Sequence, residues 1–136
     1  MQDRPSYDEL LGAVERFLEQ EIMPNAEGSR RFHARVSANV LRIVRRELER
    51  EEEQLAAEWA GLSALLGAAE PPSGRSALRE AIRDRTSELC ERIQRGDADT
   101  GAFREAVLSH VGHTVHDKLL VTNPGWLGEG ETPADG

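Results

Sequence analysis

Lysine and cysteine are almost missing from this chain. Of its 17 basic residues, Lys118 is the single lysine, and Cys90 is the single cysteine. One thiol cannot close an internal disulfide and suits a reducing compartment, so a cytoplasmic location is expected. No apolar run is long enough to span a bilayer. The first twenty residues lack the basic start and apolar stretch of a signal peptide. Strand-like alternation and internal repeats are missing too. So are a Gly-x-Ser-x-Gly elbow, a Walker loop and a dinucleotide fingerprint. The paired Glu-x-x-His motifs of di-iron bundles do not occur, which excludes a ferritin-like oxidase. No cofactor is implied, no acid–base pair or nucleophile can be placed, and the expectation leans away from an enzyme.

What the chain does contain is charge and helical periodicity. At 136 residues with net charge −8, it has the length of one domain, and its acidity disfavours non-specific nucleic-acid binding. Ser6 and Glu9 form a capping box for a first helix, about residues 6–22. Its apolar face is Leu10, Leu11, Val14, Phe17, Leu18 and Ile22, and Pro24 is expected to stop it. A second helix starts between Asn25 and Ser29 and is expected to bury Phe32, Val36, Val40, Ile43 and Val44. The apolar-free run 49–54 precedes a new stripe, Leu55, Trp59, Leu62 and Leu66, rotated by about 100°. One rigid helix cannot turn both stripes to one core, so a kink or turn is expected near residues 50–54, with a third helix beyond it.

Pro71-Pro72-Ser73-Gly74 makes a loop. A fourth helix, about 76–95, points Leu78, Ile82, Leu89 and Ile93 inward, with Arg85 in the same line and Cys90 packed at its border. Asp99 or Thr100 caps a fifth helix with Phe103, Val107, Val111, Val115 and Leu119 inward. It ends at Asn123-Pro124-Gly125, and Trp126 and Leu127 are expected to fold back. Gly12, Gly61 and Gly112 inside helices suggest close helix approach. The expected architecture is all-α: a single-domain antiparallel bundle of about five helices over residues 1–127, with a disordered tail at 128–136.

The run Ser29–Arg46 carries six arginines, 30, 31, 35, 42, 45 and 46, and no acid. Guanidinium groups bind carboxylate and phosphate bidentately, so the run is either an internal ion-pairing device or a surface for an anion. Phe32 is the one aromatic nearby, which disfavours nucleic acid. Asn39 and Glu47 fall near the apolar face of that helix. With Arg35, and with Arg85 as another partner for Glu47, they form either a sealed polar network or a ligand pocket. Arg31, Arg35, Asn39, Arg42 and Glu47 are the candidate ligand-binding residues. On the last helix, His110, His113 and Asp117 share a face. His113 and Asp117 at i, i+4 are a weak metal candidate beside the simpler reading of a surface pair.

Three segments carry a resemblance: Met1-Gln2-Asp3-Arg4-Pro5, Arg31 to Leu41 (RFHARVSANVL), and Asn123-Pro124-Gly125-Trp126. Over about residues 1–127 the chain resembles a bacterial domain family of unknown function that occurs as a small stand-alone protein. Members lie near, or are joined to, aminoglycoside-phosphotransferase-like kinases and acyl-CoA dehydrogenases. The resemblance implies no catalytic residues. It implies an accessory role beside such enzymes, with a kinase-like or dehydrogenase neighbour, or a second copy of the chain, as protein partner. The Leu55–Leu66 stripe, narrow as a helix-pairing seam is, and the arginines are the expected docking features. The other expectation is a binding protein for an anionic small molecule, such as an acyl-CoA or a phosphorylated metabolite. Neither nucleic acid nor membrane is an expected partner.

Overall fold

The computed structural model describes residues 4–128, so Met1 to Asp3 of the first segment of the resemblance and most of the expected tail lie outside the described residues. Helix makes up 83% of the structure and no strand occurs among the described residues, which establishes the all-α class. Four helices form the framework rather than five: α1 (Tyr7–Phe17), α2 (Gly28–Leu66), α3 (Arg75–Gln94) and α4 (Gly101–Thr122). The chain divides into two compact units, Met1–Glu49 and Arg50–Gly136.

The first unit is a helical hairpin. Ser6 Oγ accepts from the Glu9 amide at 3.2 Å, and the Ser6 amide donates to Glu9 Oε2 at 2.7 Å, completing the capping box. Pro24 does not end α1 as expected. A π-helical turn, Leu18–Ile22, intervenes, and the Met23 amide donates to the Leu18 carbonyl. Helix then resumes over Met23–Asn25. A widened turn relieves the crowding that a proline ring imposes on the carbonyl four residues back. The chain reverses at Ala26, in extended backbone, and at Gly28, whose φ of 54° suits a residue without Cβ. Helix α2 runs antiparallel to α1, with Arg45 pairing to Asp8 and Glu15, and Arg42 to Glu15 and Glu19.

The second unit holds the apolar core. Trp59, Leu62, Ile82, Leu89 and Val107 are buried together, with Leu55, Leu66, Leu78 and Phe103 packed around them. The carbonyl end of α2 is capped from α3. Arg85 donates to the Gly67 carbonyl at 2.6 Å and lies over the Trp59 ring at 5.0 Å; Arg92 donates to the Leu65 carbonyl at 3.3 Å and lies over Phe103 at 4.4 Å. Cations at a helix C-terminus satisfy orphan carbonyls and complement the helix dipole. Thr100 is the N-cap residue of α4, which is followed by a 3₁₀ turn, Pro124–Leu127.

Several expectations are corrected here. The expected break at residues 50–54 is absent: every residue from Gly28 to Leu66 is helical. The second stripe packs in the core of the second unit whereas the first is exposed, so the two need not share a face. The Leu55–Leu66 stripe is internal to the second unit and is not a docking seam. On α4, Phe103 and Val107 face inward, but Val111 and Val115 are exposed. Stepping four residues turns about 400°, so such a row drifts by about 40° per step off any fixed face. The α4 residues that stay covered are 103, 107, 110, 114, 117 and 119–121, so Leu119 is half-buried as expected. Cys90 and Trp126 are exposed rather than packed, and Ile93 lies at the exposed edge.

Candidate functional site

The arginine-rich run divides into two populations. Arg42 Nε and Arg45 Nη1 each donate to one oxygen of Glu15 at 2.7 Å, and Arg45 Nε donates to Asp8 at 2.7 Å. Glu15 is buried, and the Arg45 guanidinium lies over Gly12, where a Cβ would stand 3.5 Å from its carbon. Glycine at position 12 leaves the room the Arg45 head group occupies. The hydrogen bond to Arg45 holds the Asp8 carboxyl below its ordinary range, and the same contact with Asp8 and Glu15 raises Arg45 further. Arg42 and Arg45 are therefore internal ion-pairing residues.

The other candidates sit differently. Arg31, Arg35 and Asn39 are exposed along one edge of α2, and Glu47 is exposed on a different side of it. Asn39 and Glu47 are thus neither a sealed network nor a buried pocket. Arg85 bonds Ser63 and Gly67 instead of Glu47. The buried carboxylates are Glu15 and Glu51, the latter paired with Arg75 at 3.2 Å and with Arg79. His113 Nδ1 lies 2.7 Å from its own helix's Ser109 carbonyl, and Asp117 pairs with His116 at 3.6 Å. Among the described residues no group of three or more His, Cys, Asp or Glu could hold a metal ion. His110 packs on Gly61, and desolvation depresses its imidazole below the ordinary 6.5.

What sequence reading missed is the direction of the second helix's apolar row. Phe32, Val36, Val40 and Val44, expected inside, are 62, 44, 51 and 39% exposed. The residues of α2 in this unit that are buried or paired to acids of the first helical stretch are Ala34, Ala38, Arg42 and Arg45, which lie within about 80° of one another around the helix. The row of four lies about 90–170° away from them. On α1, Tyr7, Leu10, Val14 and Phe17 are exposed too, beside the half-buried Leu11 and Leu18. Because the helices are antiparallel, rotating in the same sense on each leads to the same side of the hairpin. The α1 row therefore adjoins Val40 and Val44. With Leu48, this unit exposes nine large apolar side chains, while its buried hydrophobic residues are Ala34 and Ala38. Exposed apolar side chains in this number on one small unit are candidates for a contact site. The signal was available in the sequence: small residues, not large ones, mark where two helices come closest.

Fold and surface together define an all-helical protein whose first unit keeps nine of its large apolar side chains exposed. The chain belongs to the family described as Domain of unknown function (DUF6285), which matches residues 24–126. The match takes in α2, α3 and α4 but not Asp8, Glu15 or Glu19, so the acids that hold Arg42 and Arg45 come from outside it. No curated protein and no solved structure matches the chain.

Proposed function

We propose that this chain is a non-catalytic accessory module acting through protein–protein contact, beside a phosphotransferase-like kinase or an acyl-CoA dehydrogenase. The observation that carries the reading is the inverted hairpin, which exposes nine large apolar side chains and buries two alanines among its hydrophobic residues. The enzymes come from the resemblance; the hairpin supports contact as the mode of action. Titrating the purified chain into each enzyme by calorimetry tests it. A saturable complex is expected with one of them, at least tenfold weaker when Phe17 and Phe32 are both changed to glutamate. If neither enzyme binds, or the variant binds as the native chain does, the reading fails.

A second reading, a binding protein for an acyl-CoA or phosphorylated metabolite, is favoured by the edge on which Arg31, Arg35 and Asn39 follow one another at four-residue steps. Arg42 belongs to the same edge, held by Glu15, whereas Glu47 lies off it. Thermal-shift measurements with CoA esters and sugar phosphates decide it. A rise in melting temperature that Arg35→Ala abolishes supports this function, and no rise removes it.

A further inference from the structure

We infer that the outer face of the first half of α2 docks an acidic amphipathic helix of a protein partner. This assignment rests on the accessory reading above and names the chemistry of what the module meets.

The face is narrow and straight. At 100° per residue, Arg35, Arg46, Asn39, Phe32, Ile43 and Val36 fall in that order within about 100° of the α2 circumference. Arg31 stands about 40° beyond Arg35. The sector centres roughly 115° from the mean direction of Ala34, Ala38, Arg42 and Arg45, so it points away from the hairpin's own contacts. Arg31, Phe32, Arg35, Val36 and Asn39 are exposed, and Ile43 and Arg46 are half-buried. Apolar and cationic side chains thus lie side by side on one exposed strip.

Charge selects the kind of occupant. The run 29–46 holds six arginines and no acid, and Glu47, the first acid after it, lies about 16 Å along the axis from Val36. Arg31 forms no ion pair among the described residues. Guanidinium groups take carboxylates bidentately. A second copy offering the same face would set arginine against arginine. A bilayer is an extended anionic surface and meets the charge of the whole chain, −8. A single helix, about 10 Å wide, senses chiefly the arginines within a Debye length of about 8 Å. Nucleic acid would need stacking platforms, and Phe32 is the one aromatic on the strip.

Spacing selects the form. Arg31, Arg35, Asn39, Arg42 and Arg46 follow at steps of four, four, three and four residues, the row that one helix presents to another. Carboxylates four residues apart on a partner helix repeat at the same rise of about 6 Å. Arg42 keeps Glu15 and Glu19 inside the hairpin, so the partner's acids fall opposite Arg31, Arg35 and Arg46. The partner's apolar anchors fall on Phe32, Val36 and Ile43, the helix mode of recognition. Exposed ion pairs alone add little. The apolar contacts supply the hold, and the arginines supply orientation and encounter rate.

Fluorescence anisotropy with the full chain tests the inference. The probe is a labelled three-heptad peptide with leucine at a and d and glutamate along one flank; its counterpart carries lysine for each glutamate. The glutamate peptide should bind saturably and at least tenfold tighter than the lysine peptide. Raising salt from about 0.1 to 1 M, which shortens the Debye length from about 10 to 3 Å, should weaken it at least tenfold. Arg31→Glu with Arg35→Glu should reverse the preference, so that the lysine peptide binds at least tenfold tighter, with the helical circular dichroism unchanged. Val44→Ser, exposed but outside the strip, should leave both affinities as they are. No saturable binding, or equal binding of both peptides, overturns the inference. So does binding to phosphatidylglycerol vesicles in place of the peptide, or a native dimer in sedimentation that the double variant disperses. If the kinase-like enzyme or the dehydrogenase binds the double variant as it binds the native chain, the inference falls and the accessory reading stands. If the peptide binds with the expected preference and neither enzyme does, the inference stands and the accessory reading falls.

Discussion

Gly61 and Gly112 share a residue type and a helical setting, yet the structure assigns them opposite substitutions. A Cβ on Gly61 would stand 2.8 Å from His110 Cε1 and closer still to Nδ1, whereas one on Gly112 would meet nothing within 4 Å. Gly61→Ala should destabilise the chain by about 1–3 kcal/mol, the usual cost of overpacking. Gly112→Ala should stabilise it by about 0.5–1 kcal/mol through helix propensity. Urea denaturation of the two variants checks both signs. His110 adds a pH dependence. Desolvation lowers its folded pKa, opposed by Glu58 and assisted by His113 and Lys118. The unfolded chain takes up the proton near 6.5, while the folded chain resists it. The stabilisation is therefore complete above about pH 6.5 and is lost as pH falls through the lower folded value. The melting temperature of the native chain should fall between pH 7 and pH 5, and His110→Gln should flatten that fall. Asp8 has the same sign at lower pH, because its carboxyl is held below 3.8 by Arg45.

At the level of elements, the ends of helices were more legible than their faces. Ser6 with Glu9, the Pro71–Gly74 loop, the start at Thr100 and the stop at Asn123 are local signals, set by residues within a turn of the helix end, and the structure follows them. The faces depend on what each helix meets. On α2 the large apolar residues at 32, 36, 40 and 44 looked like the core, but the buried residues of that stretch are the alanines at 34 and 38, and Arg42 and Arg45 reach across to Glu15 from beside them. Arg85 was legible as an inward residue. Its role as a cap on the carbonyl end of α2 was not, since that needs the loop at Gly67 folded back beneath α3. Arg85→Ala removes a bond to the Gly67 carbonyl and a cation–π contact with Trp59. It should cost about 1–3 kcal/mol, measurable by thermal unfolding. Glu15→Ala removes one of the two acids that hold each of Arg42 and Arg45 and leaves Glu19 and Asp8 in place, so a smaller loss of about 1 kcal/mol is expected.

Across the whole molecule, the two units are stabilised by different means. The second has a core built on Leu62, which is fully buried; the first leans on ion pairs and two alanines. Amide hydrogen exchange should therefore be slow at Leu62, Ile82 and Leu89 and faster at Ala34 and Ala38. Equal protection at the two sets would mean that the hairpin is as stable as the core of the second unit. The contrast between the two indoles, Trp59 with Nε1 bonded to the Ala69 carbonyl and Trp126 79% exposed, has an optical consequence. Iodide should quench the long-wavelength fluorescence of Trp126 and spare the blue-shifted emission of Trp59, so a single cuvette reports on the interior and the carboxyl-terminal end as separate signals.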